Sequence, residues 1–158
     1  VRMVPPEYME IPVIQTFVKP QYYPKIKPEC TNITMIRQKD VDGGMGFADL
    51  LEHLAGAYVP GEAWLACWGD SDQRVIDQAC RRYKIPCPFD WADYIDLAFE
   101  YRSFFGRERS IGLQQAVDET GVERYGMSHL AMDDAVNAAR VMRHMMEVGW
   151  KPGQESSV

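Results

Sequence analysis

Trp64-Leu65-Ala66-Cys67-Trp68 is an unbroken apolar run that follows a Pro60-Gly61 turn and stops at Gly69-Asp70-Ser71-Asp72. A short run bounded by turn residues is the pattern of a strand buried on both faces. Such a strand needs helices on both sides of its sheet. Helical patterns stand on either side of it. Before it, Phe47, Leu50, Leu51 and Leu54 share one face of a segment that leaves His53 toward solvent. After it, Val75, Ile76, Ala79 and Tyr83 recur at helical spacing. Strand alternating with helix, in 158 residues that suffice for one core, gives an α/β fold and one domain over 1–150, with a frayed tail over 151–158.

The turn after the strand places a carboxylate where open α/β sheets carry their sites, at the carboxyl end of a strand. Asp72 shares phase with Val75, Ile76, Ala79 and Tyr83 and so opens its helix on the core side. An N-cap is the competing explanation, since Asp and Ser are both preferred there without further function.

A second carboxylate enters the last long helix, expected from Leu130 to about Val148, where no Gly or Pro interrupts the apolar steps. Asp133 and Asp134 differ by ~100° around that helix. Asp134 is in phase with Ala138, Val141, Met142 and Met145, whereas Asp133 is in phase with Asn137, Arg140 and His144. Asp134 is therefore assigned inward and Asp133 outward, and an inward carboxylate requires a partner, hydrogen bonds or a metal. His129 lies ~140° from Asp134 on a continuous helix, so it reaches the same place only from the helix start, for which Ser128 is the expected N-cap. A histidine at a helix terminus and a satisfied core carboxylate account equally for this segment.

The remaining chain is simpler. Val1–Val4 is the end of a strand, Pro5-Pro6-Glu7-Tyr8 a turn, and 11–19 a second strand in an antiparallel hairpin. A short helix begins near Pro28, 93–98 holds a short strand, 99–105 a helix rich in aromatic residues, and 111–119 a helix ended by Gly121. Cys30, Cys67, Cys80 and Cys87 form no CxxC pair, which argues against a structural zinc and for a reducing, cytoplasmic setting. No apolar run spans a membrane. The net charge of −6 disfavours broad affinity for phosphate backbones but leaves room for a nuclease whose site is made of carboxylates.

In order, Phe17-Val18-Lys19-Pro20, Cys30-Thr31-Asn32-Ile33-Thr34, Gly69-Asp70-Ser71-Asp72, and His129 followed at the fifth place by Asp134 resemble the 3′ to 5′ exonucleases with an Asp-Glu-Asp-Asp-His site. The closer likeness is to the branch with the histone-mRNA exoribonuclease and its bacterial relatives. The resemblance implies a ribonuclease H-like mixed sheet flanked by helices and two divalent cations, Mg or Mn, held by carboxylates. It implies a substrate with a single-stranded 3′ end, RNA ahead of DNA. It also assigns Asp72 and Asp134 to the metals and His129 to general-base catalysis. The chemistry is consistent, because paired metals stabilise the attacking and leaving oxygens of phosphoryl transfer and a histidine titrates near neutral pH.

One motif departs from the pattern. The family's Asp-x-Glu strand has no counterpart here, and Glu7 and Glu10 flank a turn. The opening Val1-Arg2-Met3-Val4 reads as a chain entered mid-strand, so the expectation is a fold lacking its first strand, with that motif ahead of Val1 and impaired activity in these residues alone. The alternative is a noncatalytic relative that binds nucleic acid or protein. Arg102, Arg107, Arg109 and Arg124 are candidate phosphate contacts, against the commoner explanation of a solvated basic face.

Overall fold

The computed structural model describes residues 1–153; the remainder of the expected tail, 154–158, lies outside the described residues. Strands β1 (Arg2–Val4) and β2 (Met9–Ile11) form an antiparallel hairpin in which Arg2 faces Ile11 and Val4 faces Met9. The second strand ends at Ile11 rather than running to Lys19. Pro12 has no N–H to donate and β1 offers no partner beyond Arg2, so pairing stops there. The chain regains an ordered contact only at Val18, which bridges Met45. There the backbones approach so closely that a Cβ on Gly44 would lie 2.7 Å from the Phe17 carbonyl oxygen.

Helices α1 (Pro28–Thr34), α2 (Gln38–Asp42) and α3 (Phe47–Ala57) follow. Pro28 occupies the first turn of α1 as expected, and His53 is exposed on α3. The five-residue α2 was not expected, being too short to show a helical period. Strand β3 (Leu65–Cys67) occupies the apolar run and pairs in parallel with β4 (Tyr94–Asp96), α4 (Ser71–Tyr83) forming the crossover between them. Helices α5 (Leu97–Phe104), α6 (Leu113–Thr120) and α7 (Ala131–Glu147) complete the order. Among the described residues the strands form two separate pairs, β1 with β2 and β3 with β4. No helix among them is long and apolar enough to cross a membrane.

The core lies where α7 meets α5, α6 and β4. Ile95, Leu97, Tyr101, Val117, Val141 and Met145 are packed together, and Trp150 closes the cluster after α7. Trp68 and Tyr101 connect it to β3, their rings 5.7 Å apart. The aromatic segment from Trp91 to Phe105 thus builds packing, with Tyr101 also donating its hydroxyl to Glu119 at 3.1 Å. A second link ties α7 to the hairpin: Glu10, its side chain only 8% exposed, accepts from Arg140 at 2.5 Å and Arg143 at 3.1 Å. Burial alone would raise the Glu10 pKa. Hydrogen bonds from its own backbone and from Arg140, with the charges of both arginines, hold its carboxyl below the ordinary value.

Candidate active site

The C-terminal half of the site is organised by the first turn of α7. Leu130, not Ser128, is the N-cap, and it has no side-chain oxygen to offer the free N–H groups. The two aspartates turn back over the incoming loop instead. Asp133 accepts the backbone N–H of Met127 at 2.8 Å, and Asp134 accepts that of His129 at 3.0 Å. Both carboxylates are half-buried, so the assignment of Asp133 to the outside does not hold. His129 has φ of +68°, a left-handed conformation uncommon for a residue with a Cβ. Its backbone is bound to Asp134 while its ring is exposed.

Asp134 has a second partner. Gln114 on α6 donates to its other oxygen at 3.3 Å, and Gln114 in turn accepts from Arg124, which is paired with Asp118 at 2.6 Å. Arg124 is thereby engaged with neighbouring side chains at the surface. Asn137 corrects the phase assignment most clearly. Placed on the outer face by helical counting, it is fully buried, and its side-chain amide spans the Tyr125 backbone, accepting the N–H at 2.8 Å and donating to the carbonyl at 2.9 Å. The loop that carries His129 folds back over that face of α7 and makes a second buried surface.

The other candidate carboxylate, Asp72, lies in open surroundings. Gly69 leaves β3 at φ +93°, a conformation that suits glycine, and α4 begins two residues later. Asp72 stands in its first turn and is exposed, as is Val75 at 65%, so the face assigned to the core is largely uncovered here. Asp70 precedes the helix but makes no side-chain cap, and Asp72 faces the thiol of Cys67. Burial, reinforced by the negative charge of Asp72, pushes the Cys67 thiol up to about 12, which keeps it protonated at neutral pH. Beside it the Tyr94 hydroxyl donates to the Gly69 carbonyl. The Val1 ammonium also lies near Cys67.

Besides Arg124, three further arginines are candidate substrate contacts. Arg107 is paired with Glu119 and lies over the Tyr101 ring, so its charge is already partnered. Arg102 lies 4.8 Å over the Phe99 ring on its own helix, and Arg109 is exposed. Cys67, Gln114 and Asn137 were missed as site residues. Only Asn137 had a sequence signal, its position three residues after Asp134 on the same helix.

Among the described residues, no three of the histidine, cysteine, aspartate and glutamate side chains gather into a group able to hold a metal ion. Asp72 and Asp134 do not by themselves form a metal centre. What these residues can do is fix one carboxylate and present one imidazole to solvent.

Comparison with known proteins bears on this arrangement. A family model described as Exonuclease matches residues 1–142. The "Probable 3'-5' exonuclease KapD" of Bacillus subtilis (strain 168) is 35% identical over 134 residues, which cover 83% of this chain and 65% of that protein. "ERI1 exoribonuclease 2" of Mus musculus is 27% identical over 179 residues, covering 91% of this chain and 26% of that one. The chain thus spans under two thirds of these relatives' lengths. Among solved structures, "crystal structure of full-length 3'-exonuclease" superposes with a TM-score of 0.77 at 21% identity, covering 86% of this chain and 47% of that one. "Crystallographic structure of the nuclease domain of 3'hExo, a DEDDh family member, bound to rAMP" gives 0.74 at 22%, covering 84% and 70%. The ribonuclease H-like fold expected from the sequence is the fold of these structures.

Proposed function

Since this chain belongs to the exonuclease family, we propose that it removes nucleotides from the 3′ end of a single-stranded nucleic acid, RNA ahead of DNA. In this proposal Asp72 and Asp134 are metal-binding carboxylates for two Mg or Mn ions, and His129 is the general base. Two further carboxylates are needed, and the Asp-x-Glu motif of the family is their natural source.

The observation that carries the proposal is the bond between the Asp134 carboxylate and the His129 N–H. It ties two residues five positions apart in the sequence to each other. The imidazole is left exposed, where it can take a proton from water. The preference for RNA is supported by relatives named as exoribonucleases.

The decisive measurement uses a 5′-labelled single-stranded RNA with Mg²⁺ or Mn²⁺. A chain that includes the Asp-x-Glu strand shortens it stepwise from the 3′ end, and residues 1–158 alone do so poorly. His129→Ala in the longer chain lowers the rate by about 10²-fold or more without lowering the melting temperature. An unchanged rate in that variant would remove His129 from the mechanism. A second reading, a noncatalytic binding module, is favoured by the incomplete donor set among the described residues. It predicts no shortening by either chain.

A further inference from the structure

The loop between β2 and α1 has a composition unlike the rest of the molecule. No acidic residue occurs from Ile11 to Pro28, in a chain with 23 acidic side chains, while Lys19, Lys25 and Lys27 all fall there. All three lysines are exposed, and none takes part in a salt bridge among the described residues. Tyr22 and Tyr23 stand between them, 51% and 85% exposed.

This loop is held in place. The Gln38 side chain accepts the Ile26 N–H at 3.0 Å and donates to the Pro24 carbonyl at 2.8 Å. Tyr22 stacks on Tyr83 of α4, centroids 5.5 Å apart and planes 27° from parallel, and Tyr83 in turn meets Phe47 at 5.2 Å. Tyr23 is fixed at φ +54°, a left-handed conformation, with its ring projected outward. Beside that ring, Pro24, Lys25 and Lys27 complete the lining of an open cavity of about 740 Å³.

We propose that this loop is a subsite for single-stranded nucleic acid, with Tyr23 stacking on a base and Lys25 and Lys27 meeting the flanking phosphates. An exposed ring among unpaired cations is the combination that binds single strands without regard to sequence, because every base offers a π-face. A solvated basic patch needs no projecting ring. The location fits the proposed reaction, on which this assignment of the strand's direction rests. Tyr83 lies eleven residues after Asp72 on one helix, ~16 Å along its axis. That is about five stacked nucleotides at ~3.4 Å each, so the loop takes the strand upstream of a 3′ end placed near Asp72.

Binding is measured in EDTA by fluorescence anisotropy, with oligo(U) and oligo(dT) of twelve nucleotides and of three. The wild-type chain holds the 12-mers more tightly than the 3-mers. Tyr23→Ala weakens 12-mer binding about tenfold and Tyr23→Phe restores it. Joint Lys25→Ala and Lys27→Ala lowers the salt slope by about 1.4, and none of these variants alters 3-mer binding. Equal weakening of both lengths, no effect of Tyr23→Ala, or equally effective competition by a polyglutamate peptide overturns the proposal. Loss of 12-mer binding in the loop variants of a protein that never shortens RNA would leave the subsite standing and remove the exonuclease reading.

Discussion

Asp134 and Asp72 carry the same chemistry in opposite surroundings. Asp134 is half-buried, bound to the His129 N–H and to Gln114, on a helix anchored through Asn137 and through the arginines that clasp Glu10. Asp72 stands exposed on the first turn of a helix whose neighbouring face is open, with a protonated thiol as its near neighbour. In one region a carboxylate and the backbone of the His129 loop are therefore tied together by hydrogen bonds, and in the other a single carboxylate stands exposed. In the proposed reaction His129 acts from the tied loop, where a general base must come within a hydrogen bond of the proton it takes.

If the Asp134 half is stable because α7 holds the His129 loop, Asn137 is where that hold is strongest. Asn137→Ala removes two hydrogen bonds at a fully buried position and leaves both Tyr125 backbone groups without their partner. The expected cost is about 3 kcal/mol, measured by chemical denaturation. Hydrogen exchange should also show earlier loss of protection in 121–130 than in α5. A loop that stays protected in this variant would mean that it is held by something other than α7.

Glu10 tests the other anchor. Its carboxyl is held below the ordinary value in the folded state, so its contribution is complete above the unfolded pKa of about 4.3 and is lost as pH falls through the folded one. Glu10→Gln leaves Arg140 and Arg143 without their shared anion. Because both are partly exposed, the cost is about 2 kcal/mol at pH 7. The gap between variant and wild type should stay constant down to about pH 5 and then close. A gap that persists at pH 2 would show that the carboxylate's charge is not what holds the hairpin to α7.

The sequence carried much of this, and its failures have physical causes. The position of β3 and the limits of α7 followed from periodicity and turn residues, which are local properties, whereas the expected burial of β3 on both faces did not, since Leu65–Cys67 are only half-buried and Trp64 is exposed. Asn137 was misassigned because helical phase assumes one core on one side. The 121–130 segment supplies a second covered face, a tertiary fact that spacing cannot express. Asp72 was correctly phased with Val75 and Ile76, yet phase says only what a residue faces and not whether anything stands there. Gln114 had no signal at all, since nothing in α6 marks one glutamine as the partner of a carboxylate twenty residues away.

The smallest structural effect is expected at Asp72, and it sharpens the contrast furthest. Asp72→Asn keeps the size and removes the charge of an exposed side chain, so stability should change by less than about 0.5 kcal/mol. Asp134→Asn meets a backbone N–H and a glutamine amide that both demand an acceptor, so it should lower the melting temperature measurably. Under the proposed function, both variants should lose shortening of RNA to a similar degree. Equal loss of activity with unequal loss of stability would show that the two carboxylates share one task and differ only in what the fold asks of them. A drop in melting temperature for Asp72→Asn as large as that for Asp134→Asn would mean that the Asp72 half is built into the fold after all.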